Sequence, residues 1–166
     1  MSVTSSLVEF FSWLPDELIV TVISMLPIVE LRGALPVGYL ALNMPLPNSF
    51  AFSILGNLIP VPLIFYLLKP IEKFLRTWKR WDRFFDKLYQ KTRARASGKI
   101  ERYKELGLIL FVAIPLPVTG AWTGTLIAYL FGLSFKKSFP VIVLGVLIAG
   151  GIVSALVYTG KFLWVL

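Results

Sequence analysis

Long stretches of this chain carry almost no charge. Residues 106–135 and 138–160 have no Asp, Glu, Lys or Arg, and residues 18–68 have only Glu30 and Arg32. Uncharged apolar stretches of about 18 residues or more are candidates for membrane-spanning helices. Composition agrees, because 57% of the 166 residues are hydrophobic and only 16% are charged, against about a quarter charged in a soluble domain. The sequence therefore predicts an all-α integral membrane protein, a single multi-pass domain of the plasma membrane.

The residue types that the chain lacks exclude several kinds of chemistry. It has no Cys and no His, so it offers no thiolate, no disulfide, no imidazole base and no His-ligated metal. No Asp lies inside an apolar stretch, and neither a phosphate-binding Walker loop nor a dinucleotide glycine motif occurs. We therefore expect a protein that is not an enzyme and that holds no cofactor or metal.

The apolar stretch that opens each half of the chain is interrupted by prolines and glycines. A continuous helix over residues 18–42 would bury two charges and break at two prolines. A straight helix over residues 105–135 would be about 45 Å long, against about 30 Å for the hydrocarbon core of a bilayer. Each stretch is therefore predicted to form two half-helices that meet at a turn. The stretches that follow, residues 49–68 and 138–159, are predicted to span the membrane.

The two halves of the chain resemble each other at an offset of 89 residues. Residues 49–59 match residues 138–148 at six of 11 positions, and the same offset superposes the two interrupted stretches. If those stretches cross the membrane, the repeats are parallel; if they turn back, the repeats are inverted. Only the second layout puts the basic residues of every loop on the cytoplasmic side. We therefore predict two inverted repeats, residues 17–68 and 105–160, each a re-entrant helical hairpin followed by a transmembrane helix.

Residues 69–104, which join the two repeats, hold 13 of the 17 basic residues. Aromatic residues recur there at spacings of three and four, with Lys and Arg on the opposite face, which is typical of an amphipathic helix in the headgroup layer. The residues predicted to contact the membrane surface are Phe74, Trp78, Trp81, Phe85, Arg76, Lys79, Arg80 and Arg83. We interpret this helix as cytoplasmic and as binding membrane lipids and not nucleic acid. Residues 1–16 are predicted to form a second, acidic interfacial helix.

Inverted hairpins would bring both turns close to the middle of the bilayer, where non-helical backbone is tolerated only if it is shielded or lines a cavity. Glu30 and Arg32 are the only ionisable residues in the apolar stretches, and each costs about 2.5–3.5 kcal/mol to insert at a helix centre. One interpretation is that they pair and hold the turn. The other is that Arg32 binds an anion through its planar fork and that Glu30 couples transport to H⁺ or Na⁺.

The predicted substrate- and ion-binding residues lie in the two turns and at the middle of the first span. They are Glu30, Arg32, Gly33, Pro36, Asn57, Pro115, Pro117, Thr119, Gly120, Thr123 and Gly124. For the prolines and glycines the competing interpretation is a turn that only shapes the backbone, and for Asn57 it is an interhelical hydrogen bond. Trp122 is interpreted as packing. A homodimer would complete the thin protein shell around such a site.

Residues 30–36 (ELRGALP) and 115–124 (PLPVTGAWTG) resemble the signature motifs of the putative small multidrug export protein family, and the resemblance covers about residues 20–160. That family is distantly similar to the DedA superfamily, whose members carry two opposed re-entrant hairpins and include carriers or scramblases of phospholipid and polyprenyl phosphate. The resemblance implies that the acidic and arginine functions lie on Glu30 and Arg32. DedA members typically carry a further arginine in the second hairpin, which has no charge here, so phosphate binding would depend on Arg32 alone.

Three functions remain open at this point. The first is a small secondary transporter or lipid carrier that moves an anionic or phosphate-bearing amphiphile, coupled to H⁺ or Na⁺. The second is proton-coupled export of lipophilic cationic drugs. Glu30 would then bind the drug, and the positive charge of Arg32, which offsets the negative charge of Glu30, argues against this function. The third is a non-transporting membrane scaffold that acts through its basic segment and needs neither residue.

Overall fold

The computed structural model describes residues 9–11, 13–94, 98–115 and 119–165. These residues form an all-helical structure without strands, as the sequence predicts. The helices are α1 Asp16–Met25, α2 Glu30–Pro36, α3 Leu46–Leu58, α4 Pro60–Leu75, α5 Lys79–Ala94, α6 Gly98–Ala113, α7 Ala121–Leu130 and α8 Phe135–Val165. The predicted interfacial helix over residues 1–16 lies mostly outside the described residues.

The first interrupted stretch folds into α1 and α2, joined by a turn at residues 26–29. Asp16 and Glu17 occupy the first turn of α1, where the positive end of the helix dipole favours acidic side chains. Pro36 lies in α2, which continues as a π-helical turn over Val37–Ala41. A proline inside a helix removes one N–H donor and clashes with the preceding turn, and a wider π turn is one way in which helices accommodate such a disruption.

Within the described part of the chain, two segments are long and apolar enough to cross a membrane. They are Leu46–Leu75, which comprises α3 and α4, and Phe135–Gly160, which is most of α8. The first is interrupted at Ile59, because Pro60 and Pro62 begin α4 and donate no backbone N–H. Both segments contain the stretches that the sequence predicts to span the membrane, residues 49–68 and 138–159.

The second half of the chain repeats the order of elements of the first. Helix, turn, helix and long helix follow one another in both, and the two long helices begin at Leu46 and Phe135, which are 89 residues apart. Gly56 and Gly145, also 89 apart, lie at equivalent helix crossings. A Cβ at Gly56 would lie 2.9 Å from Ser24 Cβ on α1, and one at Gly145 would lie 2.7 Å from Val112 Cβ on α6. In each half a glycine therefore lets the long helix approach the first helix of its own hairpin. The inverted orientation of the repeats stays a prediction.

The larger buried cluster draws on both halves. It contains Leu31 and Leu35 from α2, Val112 from α6, Ala121 from α7 and Ile142 from α8. Because both hairpins and both long helices contribute to it, the hairpins are held against each other and do not form separate units.

Arg76 links α4 to α5 within the basic segment. The Arg76 guanidinium donates hydrogen bonds to Glu72 (2.8 Å), Asp82 (2.8 Å) and Asp86 (2.9 Å), and it lies 5.3 Å from the centre of the Phe85 ring. The bonds to Glu72 and Asp86 raise the pKa of Arg76 further above its ordinary value. These contacts hold the first turns of α5 to the end of α4.

This arrangement divides the residues predicted to contact the membrane surface. Phe85 is buried and Arg76 is engaged with three carboxylates, so these two hold α5 in place. The remaining residues of the set are exposed and available for lipid: Phe74, Trp78, Trp81, Lys79, Arg80 and Arg83.

Candidate functional site

The turns of the two hairpins meet. Gly120, the residue before α7, packs directly on the side chains at the start of α2. A Cβ at Gly120 would lie 2.6 Å from Glu30 Cδ and 2.7 Å from Arg32 Nη2. On the other side of the contact, the Trp122 indole N–H donates to the Met25 carbonyl at 3.0 Å. The fold thus brings together two motifs that lie about 90 residues apart in the sequence.

Glu30 is at the centre of this contact and is held by groups from both hairpins. It is 3% exposed. Its Oε2 accepts a hydrogen bond from Arg32 Nη2 at 2.9 Å, and the backbone N–H of Trp122 lies close enough to interact electrostatically with the carboxylate. That N–H is in the first turn of α7, where backbone donors lack partners within the helix and the dipole favours an anion. Glu30 therefore lies beside the N-terminus of α7, a helix of the other hairpin.

Glu30 also has an unusual backbone conformation, with φ +50°. A non-glycine residue in the left-handed region is uncommon and is held there by its surroundings. Here the Glu30 N–H donates to the Leu26 carbonyl at 2.9 Å and the Gly33 N–H to the Val29 carbonyl at 3.1 Å. The tight turn that results is what directs the carboxylate across to α7.

A cavity of about 620 Å³ opens beside this ion pair. Its lining residues are Pro27, Ile28, Val29, Glu30, Arg32, Pro115, Trp122, Thr123 and Leu126. The lining is mostly apolar, and its charged groups come from Glu30 and Arg32. The Arg32 side chain is 21% exposed, while that of Glu30 is 5% exposed. A molecule in the cavity would therefore have better access to the guanidinium than to the carboxylate. Among the described residues, Arg32 donates a hydrogen bond to Glu30 alone. A guanidinium has five N–H donors, so most of them have no acceptor among those residues.

Several residues predicted from the sequence are part of this site. Glu30, Arg32, Pro115 and Thr123 line the cavity, and Gly120 packs against its ion pair. Glu30 and Arg32 pair with each other, and whether the pair only holds the turn or also binds a substrate stays a prediction. Arg32 lines the cavity and has N–H donors without an acceptor among the described residues.

Other predicted residues lie elsewhere. The Thr119 hydroxyl donates to the Ile114 carbonyl at 2.7 Å, and Gly124 packs on Val112, facing α6. Pro36 lies at the end of α2, where the π turn follows. Gly33 and Asn57 are not among the residues that line the described cavity. Pro117 lies outside the described residues.

Asn57 is the most unusual of these residues, because it is 1% exposed. Within the described part of the chain, neither its amide nitrogen nor its amide oxygen has a hydrogen-bond partner. The expected interhelical hydrogen bond is therefore not made to a described residue.

Sequence reasoning missed the part that Trp122 plays. The sequence predicts packing for Trp122, but its indole N–H donates to the Met25 carbonyl of the first hairpin, and its backbone N–H lies beside the Glu30 carboxylate. The available signal was its position, since Trp122 follows Gly120 by two residues, at the start of a helix whose first N–H groups need acceptors. Among the described residues, no group of three or more acidic side chains that could hold a metal ion is found.

Comparison with known proteins gives one match. A family model described as "Putative small multi-drug export protein" matches residues 30–152. The matched range begins at Glu30, directly after the first turn, and includes residues 115–124, and it confirms the family resemblance of the two motifs. No curated protein and no solved structure matches the chain at a significant level.

Proposed function

We propose that this chain, which belongs to the family of putative small multi-drug export proteins, is a small transporter that moves an amphiphile with an anionic head group through the cavity between its hairpins. The observation that carries the proposal is the partly exposed Arg32 guanidinium at the wall of a mostly apolar cavity of about 620 Å³. Such a cavity suits an apolar body, and the guanidinium suits a phosphate or carboxylate head.

Two features support re-entrant hairpins as the frame of this transporter. Helices α1 and α7 have 10 residues each, which at 1.5 Å per residue is about 15 Å, or half of a hydrocarbon core of about 30 Å. The Lys104 ammonium also donates to the Phe131 carbonyl at 3.3 Å. Residue 104 precedes the second turn and residue 131 follows it, so the chain comes back to the level at which it entered. A hairpin that stops halfway would leave its turn, and hence the cavity, near the middle of the bilayer.

The charges of the site favour an anion over a cation. Glu30 already has Arg32 and the first turn of α7 as partners, so its negative charge is compensated. An arriving phosphate would instead meet the N–H donors of Arg32 that have no acceptor among the described residues, and it would compete with Glu30 for the guanidinium. Glu30 would then be a carboxylate without its cation in an apolar surrounding, which is unfavourable, and uptake of a proton removes that charge. The anion and the proton would thus be carried together.

The first experiment measures uptake of a fluorescent phosphate-bearing amphiphile into proteoliposomes, with and without a pH gradient. We expect Arg32→Lys to lower uptake roughly tenfold to a hundredfold, because an ammonium lacks the planar fork that binds a phosphate through two parallel hydrogen bonds. We expect Glu30→Gln to retain uptake driven by the substrate gradient and to lose its response to the pH gradient. Glu17→Gln is the matched control, since it makes the same chemical change outside the cavity. Unchanged uptake in both site variants would contradict the proposal.

Export of lipophilic cations is the second candidate, and the description of the family favours it. In that mechanism a cationic drug displaces Arg32 and binds the Glu30 carboxylate. The competition is then between two cations for Glu30, and not between two anions for Arg32. The two candidates predict opposite effects of Arg32→Ala. Transport of a quaternary ammonium dye that persists in Arg32→Ala and disappears in Glu30→Gln would establish cation export, whereas loss of anionic amphiphile uptake in Arg32→Ala supports the first candidate.

A further inference from the structure

A second cavity, of about 660 Å³, lies at the other end of α7. Its wall includes residues from the later part of α4, the end of α7 and the first residues of α8. On α7, Trp122 and Leu126 line the first cavity, whereas Tyr129 lines the second. The two cavities are therefore separate, and what the second one binds does not depend on the function proposed for the first.

Two lysines, Lys69 and Lys136, line this second cavity, and both are exposed. Among the residues that the structure describes, no carboxylate lies within 4 Å of either ammonium group. Glu72, one turn after Lys69, accepts hydrogen bonds from Arg76 and from the Tyr129 hydroxyl. The nearby acid thus has other partners, and the cavity keeps a positive charge of about two.

Aromatic side chains form the apolar part of the cavity. The Phe65 ring is 5.7 Å from that of Tyr129 and 5.5 Å from that of Phe135, and Tyr66 and Phe135 are also 5.5 Å apart. Phe135 is the first residue of the second candidate membrane span, and Phe65 and Tyr66 belong to the last part of the first span. Aromatic rings beside lysines at the ends of membrane spans are typical of the headgroup level of a bilayer.

We infer that this second cavity binds the phosphate-bearing head group of an anionic phospholipid, with Lys69 and Lys136 as its counter-charges. Basic pockets between transmembrane helices are a known type of site for such head groups. A lipid fits better than a free anion, because the aromatic wall continues onto an exposed apolar surface of α4: Leu63 and Leu67, which precede Lys69 on that helix, are 64% and 50% exposed. This surface offers the acyl chains a path from the cavity into the bilayer.

The test measures binding of phosphatidylglycerol to the full chain in a neutral detergent, by native mass spectrometry and by the shift in thermal unfolding temperature. Phosphatidylcholine and inorganic phosphate at the same concentrations serve as comparison ligands. The variants are Lys69→Gln, Lys136→Gln and the double variant. Lys73→Gln is the matched control, because Lys73 is an exposed lysine of the same helix, one turn further along, that does not line the cavity.

We expect phosphatidylglycerol to bind in preference to phosphatidylcholine, with each cavity lysine contributing roughly fivefold to the affinity. The double variant should then bind roughly 25-fold more weakly than the wild type, while Lys73→Gln binds like the wild type. An equal loss in Lys73→Gln would overturn the inference, because it would mean general surface charge. Full binding in the double variant, or an equal stabilisation by inorganic phosphate, would overturn it too. Transport assays of the Arg32 variants report on the first cavity alone, so the two proposals can fail separately.

Discussion

Replacement of Gly120 by alanine tests whether the contact between the two hairpins depends on one missing side chain. Gly120 has φ +140° and ψ −163°, a region that is essentially restricted to glycine. It also lies against the Glu30–Arg32 ion pair, so that an added Cβ would overlap Glu30 Oε2 and would lie 2.7 Å from Arg32 Nη2. The substitution therefore adds backbone strain and pushes the ion pair away from α7 at the same time.

The size of the effect follows from these two terms. A non-glycine residue in this backbone region costs about 1–3 kcal/mol, and the overlap with atoms that are themselves held by hydrogen bonds adds about 1–3 kcal/mol. A loss of at least about 2 kcal/mol corresponds to a fall of roughly 4 °C or more in the unfolding temperature of a chain of this length. Because the displaced atoms belong to Arg32 and Glu30, transport should fall together with stability.

Thermal unfolding of the purified protein in detergent measures the first effect, and proteoliposome uptake measures the second. Gly151→Ala is the matched control, because Gly151 lies within α8 and a Cβ there would meet no atom within 4 Å. We expect that control to be neutral or stabilising by up to about 1 kcal/mol, since alanine is the better helix former. If Gly120→Ala unfolds at the same temperature as the wild type, the proposed contact between Gly120 and the ion pair is refuted.

Four further substitutions test other contacts of the fold. Gly56→Ala and Gly145→Ala should each lower stability by about 1–3 kcal/mol, because both glycines lie at close helix crossings; a gain in unfolding temperature in either would contradict the crossing. Tyr129→Phe removes the hydroxyl that donates to Glu72 and should lower stability by about 1–3 kcal/mol, which unfolding of the variant beside the wild type will measure. Trp122→Phe loses the indole N–H that bonds across the hairpins and should lower stability by about 1 kcal/mol. The same loss in a Trp78→Phe control, whose ring is exposed, would show that hydrogen bonding is not the cause.

The pairing of Glu30 with Arg32 could be foreseen from the sequence, but the role of the second hairpin in it could not. Two charges alone in an apolar stretch need each other, and their spacing of two residues allows them to meet at a turn. The sequence does not indicate that the N-terminus of α7 lies beside Glu30, because that contact joins residues about 90 positions apart. For the same reason, the sequence does not indicate the contact of Trp122 with the first hairpin. It also does not indicate that Lys69 and Lys136, 67 residues apart, line one cavity.

Local features of the chain determine where its helices lie, where they are interrupted, and that their apolar runs are suited to lipid. Apolar runs of sufficient length are most stable in lipid, prolines end or kink helices wherever they occur, and the offset of 89 residues already related two halves whose long helices begin at Leu46 and Phe135. Only the tertiary structure decided which of the predicted residues share a cavity. Glu30, Gly120 and Arg32 meet because the two turns pack on each other, while Gly124 faces Val112 on α6 and Asn57 does not line the cavity. Packing between distant segments depends on the shapes of all the side chains involved, and that information is not contained in any one stretch of sequence.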